Sequence, residues 1–96
     1  MIKAIIKIIM CHLVGDYVLQ TDFIATSKGS NWYHLIVHCT LYVLPFCITF
    51  GFGYELLLLF ATHIIIDALK ARYKKIDYSL DQLLHYVIAF VLYLVI

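Results

Sequence analysis

Charge is what this sequence has least of: only 14% of its 96 residues are Asp, Glu, Lys or Arg, against 65% hydrophobic residues. A water-soluble chain this short needs proportionally more polar surface than a long one, so an ordinary soluble domain is excluded. The net charge of +1 leaves no basic face for nucleic acid. Paired cysteines are also missing. Cys11, Cys39 and Cys47 form no C-x-x-C motif and lie within apolar runs, which argues against a disulfide framework and leaves them as small apolar fillers.

What is present in excess is apolar sequence long enough for lipid. A spanning helix needs about 20 mostly apolar residues, and four segments qualify: residues 3–20, 32–50, 54–69 and 80–96. They predict an all-α fold, a four-helix transmembrane bundle forming one integral membrane domain over residues 1–96. The first segment does not read as a cleavable signal peptide, because Lys7 and Asp16 interrupt it and no small-residue cleavage site follows. Basic residues cluster in two connections, Lys28 in one and Lys70, Arg72, Lys74 and Lys75 in the other, while Gly51-Phe52-Gly53 has none. The positive-inside rule then puts those connections in the cytoplasm and both termini outside, with Lys3 and Lys7 opposing it.

Local signals place the helix boundaries. Thr21–Asn31 is the one long polar connection, ending in Gly29, Ser30 and Asn31 as a break followed by a helix cap. Gly51–Gly53 is a tight turn. Ser79-Leu80-Asp81-Gln82 fits a capping box that starts the fourth helix. Pro45 bends the second helix without ending it, since neighbouring helices can re-satisfy the freed carbonyl.

All five histidines occur in pairs of spacing four: His12 with Asp16, His34 with His38, His63 with Asp67, and Asp81 with His85. Residues at i and i+4 stand above one another on a helix, so each pair faces a single neighbour or cavity. The pairs fall late in the odd spans and early in the even ones, which brings all four to one membrane face. A shift of 51 residues also superposes His12 on His63, Asp16 on Asp67 and His34 on His85, as two duplicated helical hairpins would.

An ionised aspartate at the centre of a spanning helix costs around 2.5–3.5 kcal/mol, and such residues usually face a bundle interior and mark function. Taken singly, each pair is explained by hydrogen bonds between helices. Four pairs at one level point instead to a shared metal or proton site. Imidazole and carboxylate suit one or two divalent ions, zinc, iron or manganese. The candidate ligands are His12, Asp16, His63, Asp67, Asp81 and His85, then His38, with His34 kept because it shares the face and the repeat position. Asp16, Asp67 and Asp81 are the candidate catalytic carboxylates. Gln20 extends the His12 face and Lys70 the His63 face; Lys70 either binds a phosphate or snorkels to the headgroups. Asp22 and Lys28 either close over the site or stay solvated in their connection, the commoner role. Gln82 and Tyr78 are candidate donors that orient ligands, and Glu55 reads as interfacial.

The ordered set HLVGDYVLQTD, H-x-x-x-H, HIIIDALKAR and DQLLH resembles domain-of-unknown-function family 3307, small membrane proteins of bacteria and phages. The resemblance covers nearly the whole chain. Its pattern falls here on His12, Gly15, Asp16, Gln20, Asp22, His38, His63, Asp67, Lys70, Asp81, Gln82 and His85, with Phe23 where the family shows tryptophan. It implies a bacterial inner-membrane protein with a shared polar core and supplies no activity.

The residues lead to a metal-dependent hydrolase acting on a lipid or lipid-linked phosphate near the cytoplasmic face, with membrane lipid as its partner. Four short helices enclose a site incompletely, which leaves room for a homo-oligomer. A cation or proton transporter would use the same cluster, although the other half of the membrane then lacks a polar path. A haem bundle would explain paired histidines but not the aspartates, and a structural or phage accessory protein would need neither.

Overall fold

Two side chains start the longest apolar helices. Asn31 accepts hydrogen bonds from the backbone N–H groups of Tyr33 and His34 and so begins α3, Trp32–Phe50; Asp77 does the same for Leu80 and begins α5, Tyr78–Phe90. The capping box predicted at Ser79 is therefore corrected. The cap lies two residues earlier, and the Gln82 amide is turned toward two buried carboxylates instead. α3 runs unbroken through Pro45 and stops at Gly51, whose φ of 88° suits glycine.

The computed structural model describes Met1–Val95, and among these residues it is all-helical. α1 is Ile2–Leu13, continuing as a π-helical turn over Val14–Val18; the short α2 is Asp22–Ser27; α4 is Tyr54–Asp67, continuing as a π-helical turn over Ala68–Arg72; a third such turn, Val91–Val95, extends α5. The one long polar connection thus holds a helix, begun by Thr21 accepting from the Ile24 N–H. The wide turns of α1 and α4 close with bonds from Leu19 N to Val14 O and from Tyr73 N to Ala68 O, both 2.9 Å. They reset the angular position of the residues that follow, as π turns do near functional sites.

The four long helices close into a ring in which α1 packs on α3 and α5, and α4 packs on α3 and α5. Successive long helices run in opposite directions. Gly15 permits a close approach of the α1 continuation to α3: a Cβ there would lie 2.5 Å from the Tyr42 carbonyl oxygen and 2.9 Å from its Cα.

Burial divides the interior into two ends. Ile8, Phe46, Leu56, Leu59, Ala89 and Leu92, with Cys11 and Tyr42, fill the end beside the Gly51–Gly53 turn. The other end holds His12, Asp16, Lys28, His38, His63, Asp67, Asp81 and His85, all buried. Outside, the surface is apolar, with Met10, Ile36, Ile48, Leu57, Ile65 and Leu83 all exposed. Two helices, Trp32–Phe50 and α5 with its continuation, Tyr78–Val95, are long and apolar enough to cross a membrane. α4 and its continuation are as long but carry Glu55, Asp67, Lys70 and Arg72.

Candidate metal centre

Three of the histidines arrive at the polar end for reasons visible in their helices. His12 and Asp16 lie one turn apart where α1 passes into its wide turn, His38 is nearly two turns inward of the α3 start, and His63 precedes Asp67 at the end of α4. The close approach allowed by Gly15 brings Asp16 up to α3. His38 Nε2 then lies 3.1 Å from His63 Nε2, 3.3 Å from Asp16 Oδ1 and 3.2 Å from Asp67 Oδ2. His63 Nε2 is 3.9 Å from Asp16 Oδ1.

This convergence is poorly satisfied by hydrogen bonding alone. A ring nitrogen carries at most one proton, so His38 Nε2 can donate to only one of its three neighbours and the others are left facing acceptors. Among the described residues, His38 Nδ1, His63 Nδ1, Asp67 Oδ2, Asp81 Oδ1 and His85 Nε2 are buried and make no hydrogen bond. The 3.1 Å approach of His85 Nε2 to Asp81 Oδ1 and the 3.0 Å ion pair of Lys28 Nζ with Asp67 Oδ2 lack hydrogen-bond alignment. A cation resolves the conflict: two donors each about 2.1 Å from a tetrahedral ion stand about 3.4 Å apart, near the spacings around His38. Asp16, His38 and His63 form a buried group that could hold a metal ion.

His12 has a different role. Gln82 Nε2 donates to Asp16 Oδ2 at 2.8 Å and to Asp81 Oδ2 at 3.2 Å, which uses both amide protons and leaves Gln82 Oε1 as an acceptor. His12 Nε2, 2.8 Å from that oxygen, must carry the proton; His12 Nδ1 then accepts from the Tyr42 hydroxyl at 2.9 Å. Both His12 nitrogens are thus occupied, and the chain from Tyr42 to Asp16 runs in one direction. Its effect is to hold Asp16 with Oδ1 toward His38 and His63. The Tyr42 and His63 rings stack at 3.8 Å and those of His63 and His85 at 4.0 Å, which fixes the His63 plane.

Two ammoniums complete the cluster. Lys28, 4% exposed, reaches Asp67 and donates to Gln20 Oε1 at 2.7 Å. Lys70 Nζ lies 3.8 Å from Asp67 Oδ1 and 3.5 Å from Asp81 Oδ2. Gln20 also donates to the Asp16 carbonyl at 3.4 Å. Asp81 and His85 stand beside the Asp/His/His group. His34 and Asp22 do not join it: His34 is half-buried with Nδ1 2.7 Å from Ser27 Oγ, and Asp22 is exposed at the start of α2. The duplicated pattern therefore diverges at its third pair, since the α3 side chain that reaches the cluster is His38 rather than His34.

Sequence reading gave little weight to Lys28 as a buried charge and none to Tyr42. The signal for Tyr42 was present, because His34, His38 and Tyr42 are spaced by four on one face of α3. Lys28 gave no such signal; it reaches Asp67 from a connection, where no periodicity applies.

An all-helical protein that gathers its buried charges at one end of a bundle, around an Asp/His/His group able to hold a metal, is the class these features define. Over residues 4–96 the chain matches the model of the family described as "Protein of unknown function (DUF3307)", and it belongs to that family. No curated protein and no solved structure matches it.

Proposed function

We propose that the protein is a four-span metalloprotein of the bacterial cytoplasmic membrane that hydrolyses a lipid or lipid-linked phosphate near the cytoplasmic face. The observation that carries this reading is the buried meeting of His38 Nε2 with His63 Nε2, Asp16 Oδ1 and Asp67 Oδ2, all within 3.3 Å. The inverted distribution of polarity supports the membrane: charge inside, apolar side chains outside. The basic connection Lys70–Lys75 lies at the same end as the cluster, as a cytoplasmic face requires.

Asp16, His38 and His63 are the ligands of this reading. A divalent ion held by them would supply Lewis acidity and lower the pKa of a bound water. Asp67, held between Lys28 and Lys70, takes the proton from the attacking water as the phosphorus–oxygen bond to the lipid alcohol breaks, and returns it to the departing oxygen. Lys70 lies on the half-buried side of the cluster, with 27% of its side chain exposed, and receives the phosphate. The His12–Gln82 chain positions Asp16.

The test is to purify the protein in detergent, determine bound metal by mass spectrometry, and assay phosphate release from lipid phosphates. Metal near one ion per chain, lost in His63→Ala, and phosphate release lost in Asp67→Asn with metal retained are the expected results. A metal content near zero that His63→Ala leaves unchanged would sink the reading.

A further inference from the structure

The end of the bundle opposite the metal centre holds a cavity of about 280 Å³, between the Gly51–Gly53 turn and the continuation of α5. We propose that it binds the primary ammonium group of a small amine or of an amine-bearing lipid headgroup, with Glu55 as counter-ion and the Tyr93 hydroxyl as a hydrogen-bond acceptor.

The lining selects the charge of the ligand. Phe50, Phe52, Leu92 and the Tyr93 ring supply apolar walls, and Glu55 is the only charged side chain among the described residues that line the cavity. It is half-buried and, among the described residues, forms no ion pair and no capping hydrogen bond with its own helix. A carboxylate in the first turn of α4 suits the positive end of that helix, but the dipole does not dictate where the carboxylate turns. Here Oε2 lies where a Cβ on Gly53 would be 2.7 Å from it, so the missing side chain at position 53 leaves the carboxylate its room at the cavity wall.

Tyr93 is an independent observation. It lines the same cavity, and its hydroxyl is buried without a hydrogen-bond partner. A buried polar group without a partner costs stability, and the ring contacts do not require the hydroxyl: stacking on Phe46 at 5.5 Å and on Phe50 at 4.5 Å is open equally to phenylalanine. Such a hydroxyl calls for a partner from outside the chain. α3 also ends on the cavity. Cys47 O accepts from Gly51 N, and the carbonyls after it have no partner within the helix. A carboxylate, a phenol oxygen and helix-end carbonyls can all accept, and a primary ammonium brings three donors with one positive charge. The aromatic walls favour the same charge. An anion would meet the carboxylate, and an uncharged alkyl group would leave the polar atoms unpaired.

Size and depth narrow the ligand further. Pockets for drug-sized molecules run from about 300 to 1,000 Å³, so this one suits a small headgroup. Because α3 is long enough to cross a membrane and the turn follows it directly, the cavity lies at headgroup level, with Phe52 and Tyr54 exposed beside it as interfacial anchors. Dissolved amines and the amine of a phospholipid both reach that level.

The experiment titrates the protein in maltoside detergent with ethanolamine and, separately, with short-chain phosphatidylethanolamine, using phosphatidylglycerol of the same chain length as the control, and follows the Leu92 methyl signals by NMR. Saturable shifts with at least one amine and none with phosphatidylglycerol are expected. Tighter binding of the lipid assigns the site to a headgroup, and ethanolamine binding at least as tightly assigns it to free amines. Glu55→Gln and Tyr93→Phe should each weaken binding by about tenfold or more. Tyr93→Phe should leave the melting temperature of the ligand-free protein unchanged or raised, since its hydroxyl has no partner to lose; a purely structural hydroxyl would lower it. Metal content should be the same in both variants, so the two ends of the bundle are tested independently. No saturable shift with either amine, equal shifts with phosphatidylglycerol, or binding that survives Glu55→Gln or Tyr93→Phe overturns the inference.

Discussion

Lys28 shows how much one side chain carries at this site. Its ammonium lies 3.0 Å from Asp67 Oδ2, and both groups are nearly withdrawn from solvent. Removing one partner of a buried pair leaves the other charge uncompensated, at a cost of about 3–5 kcal/mol. Lys28→Met should therefore lower the melting temperature in detergent sharply. The double variant with Asp67→Asn should recover much of the loss, because the orphaned charge has gone; additive losses in this cycle would show that the pair is not coupled. His12 supplies a second residue-scale prediction. With both ring nitrogens engaged by Tyr42 and Gln82, it positions Asp16 rather than binding the ion. His12→Gln should weaken metal binding by about 10–100-fold, the usual effect of losing an orienting partner, whereas His63→Ala should abolish it. Equal losses in the two variants, read by competition with a chromophoric chelator, would make His12 a ligand.

At the scale of elements, the contact between α1 and α3 decides whether Asp16 reaches His38. A methyl group at position 15 would meet the Tyr42 carbonyl oxygen at 2.5 Å, and backbone cannot move aside as a side chain can. Gly15→Ala should cost about 1–3 kcal/mol by overpacking and reduce metal affinity as well, since the helices must separate. Val14→Ala, at an exposed neighbouring position, should leave the melting temperature nearly unchanged. Comparable effects at the two positions would remove the close approach as the cause. The helices themselves were legible in the sequence: α3 has the predicted limits, and the paired His and Asp spacing marked the faces that meet. The π turns were not, because each lies at the end of its helix, where too few apolar residues follow to show the shift in period. Nor was the choice of His38 over His34, since both share a face of α3 and only depth along the helix separates them; His34 lies beside Ser27 of α2, one turn nearer the helix start. The α5 cap was misread because Gln82 had two possible partners. Buried carboxylates outcompeted a solvated N–H.

For the molecule as a whole, the division of the interior into a polar and an apolar end bears on whether the cluster could serve transport. A path for protons or cations must be continuous across the bundle, through side chains or water able to exchange hydrogen bonds. Here the polar cluster ends at Tyr42, and Ile8, Phe46, Leu56, Leu59, Ala89 and Leu92 pack the remainder. Opening a wet route through that packing would require several core side chains to move together, which close-packed interiors resist. Tyr93, whose hydroxyl is buried without a hydrogen bond, lies among those aromatic and aliphatic groups and does not extend a chain from Tyr42. Proteoliposomes loaded with a pH-sensitive or metal-sensitive dye should accordingly show no flux above the lipid leak, with or without an imposed potential, while the same preparation binds metal. Flux that follows the potential and disappears in His63→Ala would reassign the cluster as part of a conduction path. Flux that appears only when Phe46 is shortened to Ala would identify the apolar end as the barrier in the native protein.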